Sequence, residues 1–313
     1  MRQNQVVVSE YLPPSFLERL SEVCDVVYDP DLYGERTRLT QVISEADAIV
    51  IRNRTVIDEP LLASAGRLRI IGRLGVGLDN IDLEACSRAD VEVIPATGAN
   101  AVSVAEYVIA AALILNRGVF GLTKSMIRGE WPRQGHAFGR ELAGKTLGLI
   151  GFGSIAREVA TRATALGMVI VAHDPYVRSD DPSWQIARRV ELVTLLTVSD
   201  VVSLHVSLTA DTANLIDESA IAHMMPSAVL INSSRGGVVD ESSLAAALRE
   251  GRLGGAALDV FRAEPLGADA ALTFSGIDNL ILTPHVAGNT AESVARVAHV
   301  TVEAVLDALQ RAL

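Results

Sequence analysis

The chain has 313 residues, 49% of them hydrophobic and 21% charged, with a formal net charge of -11. That length suits two domains better than one, and that composition buries a sizeable core. A net acidic chain is not a general binder of nucleic acid or anionic membrane, which requires lysine and arginine in excess; a local basic pocket remains open.

The N-terminal segment "MRQNQVVVSEYLPP" holds an apolar run too short for a signal peptide. Five strand-like runs follow in the first hundred residues: "QVVVSE", "DVVYDP", "ADAIVIRN", "RLRIIGRLG" and "VEVIPATG". Each is continuous rather than alternating, as parallel strands covered on both faces require. Cys24 and Cys86 are too few for a disulfide scaffold, so both are expected in the core of a cytoplasmic protein. "SVAEYVIAAALILNRG" predicts a helix over about Ser103 to Asn116, apolar nearly all round and so suited to an interface. Its apolar stretch falls well short of the ~20 residues that span a bilayer.

A second series begins near Lys145 with "TLGLIG", "MVIVAHD", "DVVSLHV", "AVLINSS", "GAALDVF" and "NLILTPH". Helical patterns separate most of these runs. "SIAREVATRATALG" places Ile155, Val159, Ala163 and Leu166 on one face and stops at Gly167; "DESSLAAALREG" has Asp240 as N-cap and Gly251 past its end. Alternation of strand and helix predicts an α/β chain with open parallel sheets and right-handed crossovers. The last run, "AESVARVAHVTVEAVLDALQRAL", has no strand after it and is expected to return to the first domain.

Ligands of open α/β sheets sit beyond the carboxyl ends of the strands. In the second series those ends carry "GFGSIA", then Asp174, His205, Arg235, Asp259 with Glu264 close behind, and His285. Gly151 permits a tight turn, Gly153 lets a pyrophosphate approach the backbone, and the helix that follows supplies N–H donors. Asp174 can accept from an adenosine ribose and repels a 2′-phosphate, which favours NAD over NADP; Arg178, four residues on, is the counter-indication. Arg235 can bind a carboxylate in bidentate fashion and polarise the neighbouring carbonyl. His285 with Glu264 can exchange a proton near neutral pH, because a carboxylate fixes the imidazole tautomer and stabilises the imidazolium. Together these groups suit reduction of a 2-oxo acid by a nicotinamide. No metal is expected.

The motifs "GRLGVGLDNID", "NAVSVAEYV", "GKTLGLIGFGSIA", "INSSRGGVVDE", "ALDVFRAEP" and "TPHVAG", in this order, resemble the D-isomer-specific 2-hydroxyacid dehydrogenases over nearly the whole chain. The resemblance implies two Rossmann-like doubly wound domains, the smaller one discontinuous: residues 1-98 with 290-313 for substrate, and 99-289 for NAD. It implies a homodimer built largely through the cofactor domain. It assigns Arg235, Glu264 and His285 to catalysis, and Arg52, Asn53 and the backbone N–H groups of Val76 and Gly77 to substrate. It gives Val104, Gly151, Gly153, Ser154, Ile155, Asp174, His205, Ser233, Ser234, Asp259 and Gly288 to the cofactor, Asp259 at the nicotinamide carboxamide. Ala156 as third fingerprint residue, and Ser207 where relatives often have proline, are departures that leave the chemistry intact. Glu264 argues against formate, whose oxidation needs no proton transfer.

Relatives that act on 3-phosphoglycerate carry an arginine at the position of Arg52, so a second anion at carbon 3 is expected, with Arg54 as an additional cation or a solvated loop residue. The candidates are 3-phosphoglycerate and 3-sulfolactate, with "RNRT" and "PHVAGNT" leaning to the sulfonate. The long C-terminal extension of many phosphoglycerate dehydrogenases has no counterpart here, so feedback by serine is not expected. Trp131 is read either as reaching the partner subunit's site or as a buried anchor. The competing reading is an NAD(H)-sensing, corepressor-like binding protein on the same fold.

Overall fold

The computed structural model describes residues 3–133 and 139–311, and the chain divides into two compact units. One comprises Met1–Asn100 with Asn289–Leu313, the other Ala101–Gly288. The sheet of the first unit has five parallel strands: β1 (Gln5–Val8), β2 (Asp25–Tyr28), β3 (Ala48–Ile51), β4 (Ile70–Arg73) and β5 (Glu92–Pro95), in spatial order β2-β1-β3-β4-β5. Successive residues supply opposite faces: Val7, Ile49, Ile51 and Ile71 enter one apolar cluster, while Val6, Val8, Val50 and Ile70 enter another. That is the physical reason the runs are continuous. The edge strands β2 and β5 are only partly covered.

The C-terminal helix Ala291–Arg311 belongs to this unit and closes the second face with Ala298, Val302, Val305, Leu306 and Leu309. It lies so close to β4 that a Cβ at Gly72 would stand 2.5 Å from the Val305 side chain.

The second unit holds seven parallel strands: β6 (Thr146–Ile150), β7 (Val169–His173), β8 (Arg188–Arg189), β9 (Val201–Leu204), β10 (Val229–Asn232), β11 (Gly255–Leu258) and β12 (Leu280–Leu282). Their spatial order is β12-β11-β10-β9-β6-β7-β8. The chain runs outward from β6 through β7 to β8, then returns to lay β9 on the other side of β6. The direction of winding therefore reverses between β6 and β9, where doubly wound sheets open a crevice for ligands. β8 is not foreseen by the sequence, because two exposed arginines on an edge carry no apolar signal.

The helix Ala101–Arg117 buries Ala105, Val108, Ala111 and Ala112 against the helix Ser154–Ala165, yet leaves Leu113 and Ile114 exposed. Ser154–Ala165 buries Ala156, Val159, Ala160 and Ala163. Leu166, expected on that face, is 39% exposed, because the helix has already ended and it serves as the C-cap. Gly167 follows with φ +78°; its N–H donates to Thr164 and that of Met168 to Ala163, the paired bonds of a Schellman motif. Asp240 caps Glu241–Arg249 by accepting from the Ser243 N–H. Cys24 and Cys86 are free and buried. Among the described residues no single helix is long and apolar enough to cross a membrane.

Candidate active site

The residues singled out in the second series line the carboxyl edge of the seven-stranded sheet. Across it stand His285 after β12, Asp259 and Glu264 after β11, Arg235 after β10, His205 after β9, the glycine turn after β6 and Asp174 after β7. The row follows from topology alone, since every strand is parallel.

At the crevice, Gly151 adopts φ +84°, and a Cβ there would meet the His205 carbonyl oxygen at 2.4 Å. Gly153, the N-cap of Ser154–Ala165, opposes nothing within 4 Å. The first turn of that helix, with Ser154 and Ile155, thus presents N–H groups to open space, as a pyrophosphate requires. Asp174 ties this turn to β7: it accepts from the N–H groups of Phe152 at 2.8 Å, Tyr176 at 2.9 Å and Val177 at 3.2 Å. One of its four acceptor positions is left for a further donor. Arg178 does not compete there, because its guanidinium forms a two-pronged pair with Asp180. His205 bonds Ser203 through Nε2 at 3.0 Å, and burial pushes its imidazole down to about 3, so it is neutral at working pH.

The loop after β10 is organised by Asn232. Its side-chain oxygen accepts from the Ser234 N–H and hydroxyl, and its amide donates to the Arg235 carbonyl at 2.9 Å. Gly236 lets this loop touch the backbone after β11; a Cβ there would stand 1.8 Å from the Phe261 carbonyl oxygen. The Ser233 hydroxyl is buried with no hydrogen-bond partner, an orphaned group at the rim where a cofactor is expected. Val104 is buried, Gly288 half-buried, and both belong to the same unit. This donor set and this open helix end fit a dinucleotide.

His285 Nδ1 donates to Glu264 Oε2 at 2.7 Å, while Glu264 Oε1 accepts from the Phe261 N–H at 3.0 Å. The carboxylate therefore fixes the tautomer and leaves Nε2 free to accept or donate a proton. His285 sits in the left-handed region, φ +55°, unusual for a residue with a Cβ and typical of functional positions. Asp259, 1% exposed, holds that conformation. Its carboxylate accepts from the Thr283 hydroxyl at 2.6 Å, the Val286 N–H at 2.9 Å and the Ala287 N–H at 2.8 Å, and its carbonyl from the His285 N–H. Since Thr283 donates to Asp259, Tyr107 donates to Thr283, at 2.7 Å. Burial pushes the Tyr107 phenol up, so it stays a donor. Sequence reasoning missed Asn232, Thr283 and Tyr107, whose neutral side chains act on backbone, on one another or, for Thr283, on the Asp259 carboxylate.

In the first unit, Arg52 is half-buried and donates to Asn289 at 2.9 Å; Asn53 and Arg54 are exposed. Val76 and Gly77 are half-buried in the turn after β4, and among the described residues nothing accepts from their N–H groups. Trp131 is 72% exposed in the single chain, so it is not an anchor within its own unit. Among the described residues no group of His, Cys, Asp or Glu could hold a metal.

Comparison with known proteins agrees with this geometry. The family described as D-isomer specific 2-hydroxyacid dehydrogenase, NAD binding domain, matches residues 109–287. The (S)-sulfolactate dehydrogenase of Chromohalobacter salexigens is 50% identical over 98% of both chains. The D-3-phosphoglycerate dehydrogenase of Synechocystis sp. is 36% identical over 97% of this chain, which spans only 54% of that longer protein. A D-lactate dehydrogenase from Aquifex aeolicus, solved with NAD and lactic acid, is 29% identical over 98% of this chain and 96% of its own, with a TM-score of 0.82. The chain belongs to the D-isomer-specific 2-hydroxyacid dehydrogenase family and is an NAD-dependent hydroxyacid oxidoreductase.

Proposed function

We propose that this protein interconverts 3-sulfolactate and its 2-oxo acid, with 3-phosphoglycerate as the competing substrate. The observation that carries the reading is the end-to-end match, at 50% identity, to a protein named for (S)-sulfolactate. The S label is consistent with a D-specific family. In sulfolactate the sulfur-bearing carbon outranks the carboxyl in the naming rules, so the spatial arrangement of D-lactate becomes S.

In this reading Arg235 grips the substrate carboxylate and polarises the reacting carbonyl or alkoxide oxygen. The N–H groups of Val76 and Gly77 complete the carboxylate site, and Arg52 with Asn53 takes the anion at carbon 3. His285 Nε2 withdraws the hydroxyl proton during oxidation and returns it during reduction, while Glu264 stabilises the imidazolium. When bound, the nicotinamide would accept the hydride as NAD or supply it as NADH. Gly151, Gly153, Ser154, Ile155 and the Ser233 and Ser234 loop would hold the cofactor, with Val104, His205 and Gly288 alongside. Asp174 would accept from the adenosine ribose, and the remaining acceptor position of Asp259 would accept from the carboxamide. Residues 1-98 with 290-313 act as the substrate domain and 99-289 as the cofactor domain.

We further propose a homodimer through the cofactor domain, in the cytoplasm. Exposed Leu113, Ile114, Phe120, Met126, Ile127 and Trp131 favour burial against a second copy. Two unpaired buried cysteines accord with a reducing compartment.

The test is NADH formation from 3-sulfolactate, 3-phosphoglycerate and D-lactate. The expected order of kcat/KM is sulfolactate first and lactate last. Equal values for lactate and sulfolactate would remove the distal anion from the reading.

A further inference from the structure

Glu10 follows β1 and is 4% exposed, a burial that a carboxylate tolerates only when its lone pairs are filled. One loop supplies its donors, four of them at Oε1, with the Arg54 N–H shared with Oε2. The carboxylate accepts from the N–H groups of Arg52 at 2.8 Å, Arg54 at 3.2 Å and Thr55 at 2.9 Å, and from the Thr55 hydroxyl at 2.9 Å. With its proton committed to Glu10, the Thr55 hydroxyl accepts from Ser9 at 2.8 Å. Asn80 ties the same loop by its carbonyls, donating to those of Arg52 at 3.2 Å and Thr55 at 2.6 Å. The loop's donors go to Glu10 and its carbonyls to Asn80, so the backbone that carries Arg52, Asn53 and Arg54 is fixed.

The carboxylate also changes the charge this loop presents. Arg52 bonds a neutral amide, Asn289, and Arg54 bonds the hydroxyl of Tyr33 and lies over its ring, 4.7 Å from the centroid. Neither partner neutralises a guanidinium. The carboxylate that bonds the backbone N–H groups of both arginines is Glu10, so the loop and its buried support together hold two cations and one anion, a net single positive charge. A sulfonate carries one negative charge at every working pH. A phosphate monoester carries two above its second pKa of about 6. A singly charged anion is matched by the loop, whereas a dianion, stripped of water on binding, keeps one charge uncompensated.

We infer that Glu10 is a specificity-determining residue: it positions the Arg52–Thr55 loop and lowers its charge, so that the site selects a singly charged sulfonate over a doubly charged phosphate. This rests on the distal-anion reading above.

The experiment measures kcat/KM for 3-sulfolactate and 3-phosphoglycerate on the same enzyme and follows their ratio, in which effects common to both substrates cancel. In the wild type the ratio should shift several-fold towards phosphoglycerate as pH falls through about 6, where the phosphate becomes a monoanion. In Glu10→Gln at about pH 7.5, above that second pKa, the preference for sulfolactate should shrink by roughly 5- to 30-fold. A parental ratio in folded Glu10→Gln, or equal losses on both substrates, overturns the inference. Should that variant fail to fold, the wild-type pH series decides, and a flat ratio overturns it. If the wild type oxidises neither compound but turns over lactate, the distal-anion reading falls and takes this inference with it. If it oxidises both and the ratios do not move, only the role of Glu10 falls.

Discussion

Arg235 and Arg52 both follow a buried parallel strand, yet their loops are built differently. The Arg235 loop is held by Asn232, three residues away, and pressed against the Phe261 backbone through Gly236. The Arg52 loop is held by Glu10, 42 residues upstream, and by Asn80, 28 residues downstream. The first is a short motif whose donors and acceptors close on themselves. The second takes shape only when three strands are already side by side. On the functional reading the difference continues: the loops after β10, β11 and β12 act on the reacting atoms, and the Arg52 loop acts on a distant part of the substrate. Substitutions in the first group should lower kcat, and those in the second should raise KM.

The sharpest separation is expected at His285. His285→Ala removes the group that moves the proton, so kcat should drop ~10²–10⁴-fold while NADH affinity stays near the parental value. Stopped-flow or steady-state rates beside a fluorescence titration with NADH check both halves. A parental kcat would dissolve the distinction between the two loops.

Next in size is Arg235→Lys. Lysine keeps the charge but not the planar fork, and about 2–4 kcal/mol of transition-state stabilisation should be lost from kcat/KM with every 2-oxo acid. NADH binding should persist. Arg52→Ala is the contrast. It should raise KM for sulfolactate by the ~1.5–3 kcal/mol of a charged hydrogen bond and leave D-lactate or pyruvate kinetics nearly unchanged. If Arg52→Ala lowers kcat equally on all substrates, its loop is no distal-anion site.

Both parallel sheets are legible in the sequence, because each inner strand is a continuous apolar run and helices such as Ser154–Ala165 and Glu241–Arg249 are marked by a glycine or a cap. The row of ionisable residues on the seven-stranded sheet is legible for the same reason: parallel strands send every carboxyl end to one edge, so Asp174, Arg235 and His285 fall into line by counting strands. What stays hidden is whatever works through neutral groups or across long gaps. Thr283 looks like any strand-end threonine until Asp259 is seen beside it. Glu10 looks like a surface glutamate after β1 until the Arg52–Thr55 loop is folded over it. Leu166 misleads for a different reason, since helical periodicity cannot show that the helix ends one residue earlier.

A smaller effect is expected at Asp174. Three backbone N–H groups already occupy its carboxylate, so its substitution disturbs the glycine turn as well as the ribose contact. Asp174→Ala should lower kcat/KM with NAD and narrow the preference over NADP by about tenfold, since one charged hydrogen bond and one like-charge repulsion disappear together. Paired rates with the two dinucleotides measure it, and an unchanged preference would move the discrimination elsewhere.

The smallest effect tests whether the loop of His285 is tuned from behind. Tyr107 lies on the helix Ala101–Arg117, far from any reacting atom in bonding terms, and reaches His285 only through Thr283 and Asp259. Each link has one direction: phenol to hydroxyl, hydroxyl to carboxylate, and loop N–H groups to that same carboxylate. Tyr107→Phe keeps the ring and its packing but removes the first donor, leaving one Thr283 lone pair unfilled in a half-buried site. A lost neutral hydrogen bond of this kind is worth about 1 kcal/mol, or roughly fivefold if it is felt in the transition state. The expectation is a kcat lowered about that much with KM for the substrate unchanged, and a displaced pH profile, because the carboxylate beneath the His285 loop is less well satisfied. Thr283→Ser should retain the parental profile by keeping the hydroxyl, and Thr283→Val should exceed the defect of Tyr107→Phe by removing both bonds. A uniform loss of thermal stability with parental kcat and pH profile in all three variants would mean that this string only braces the fold.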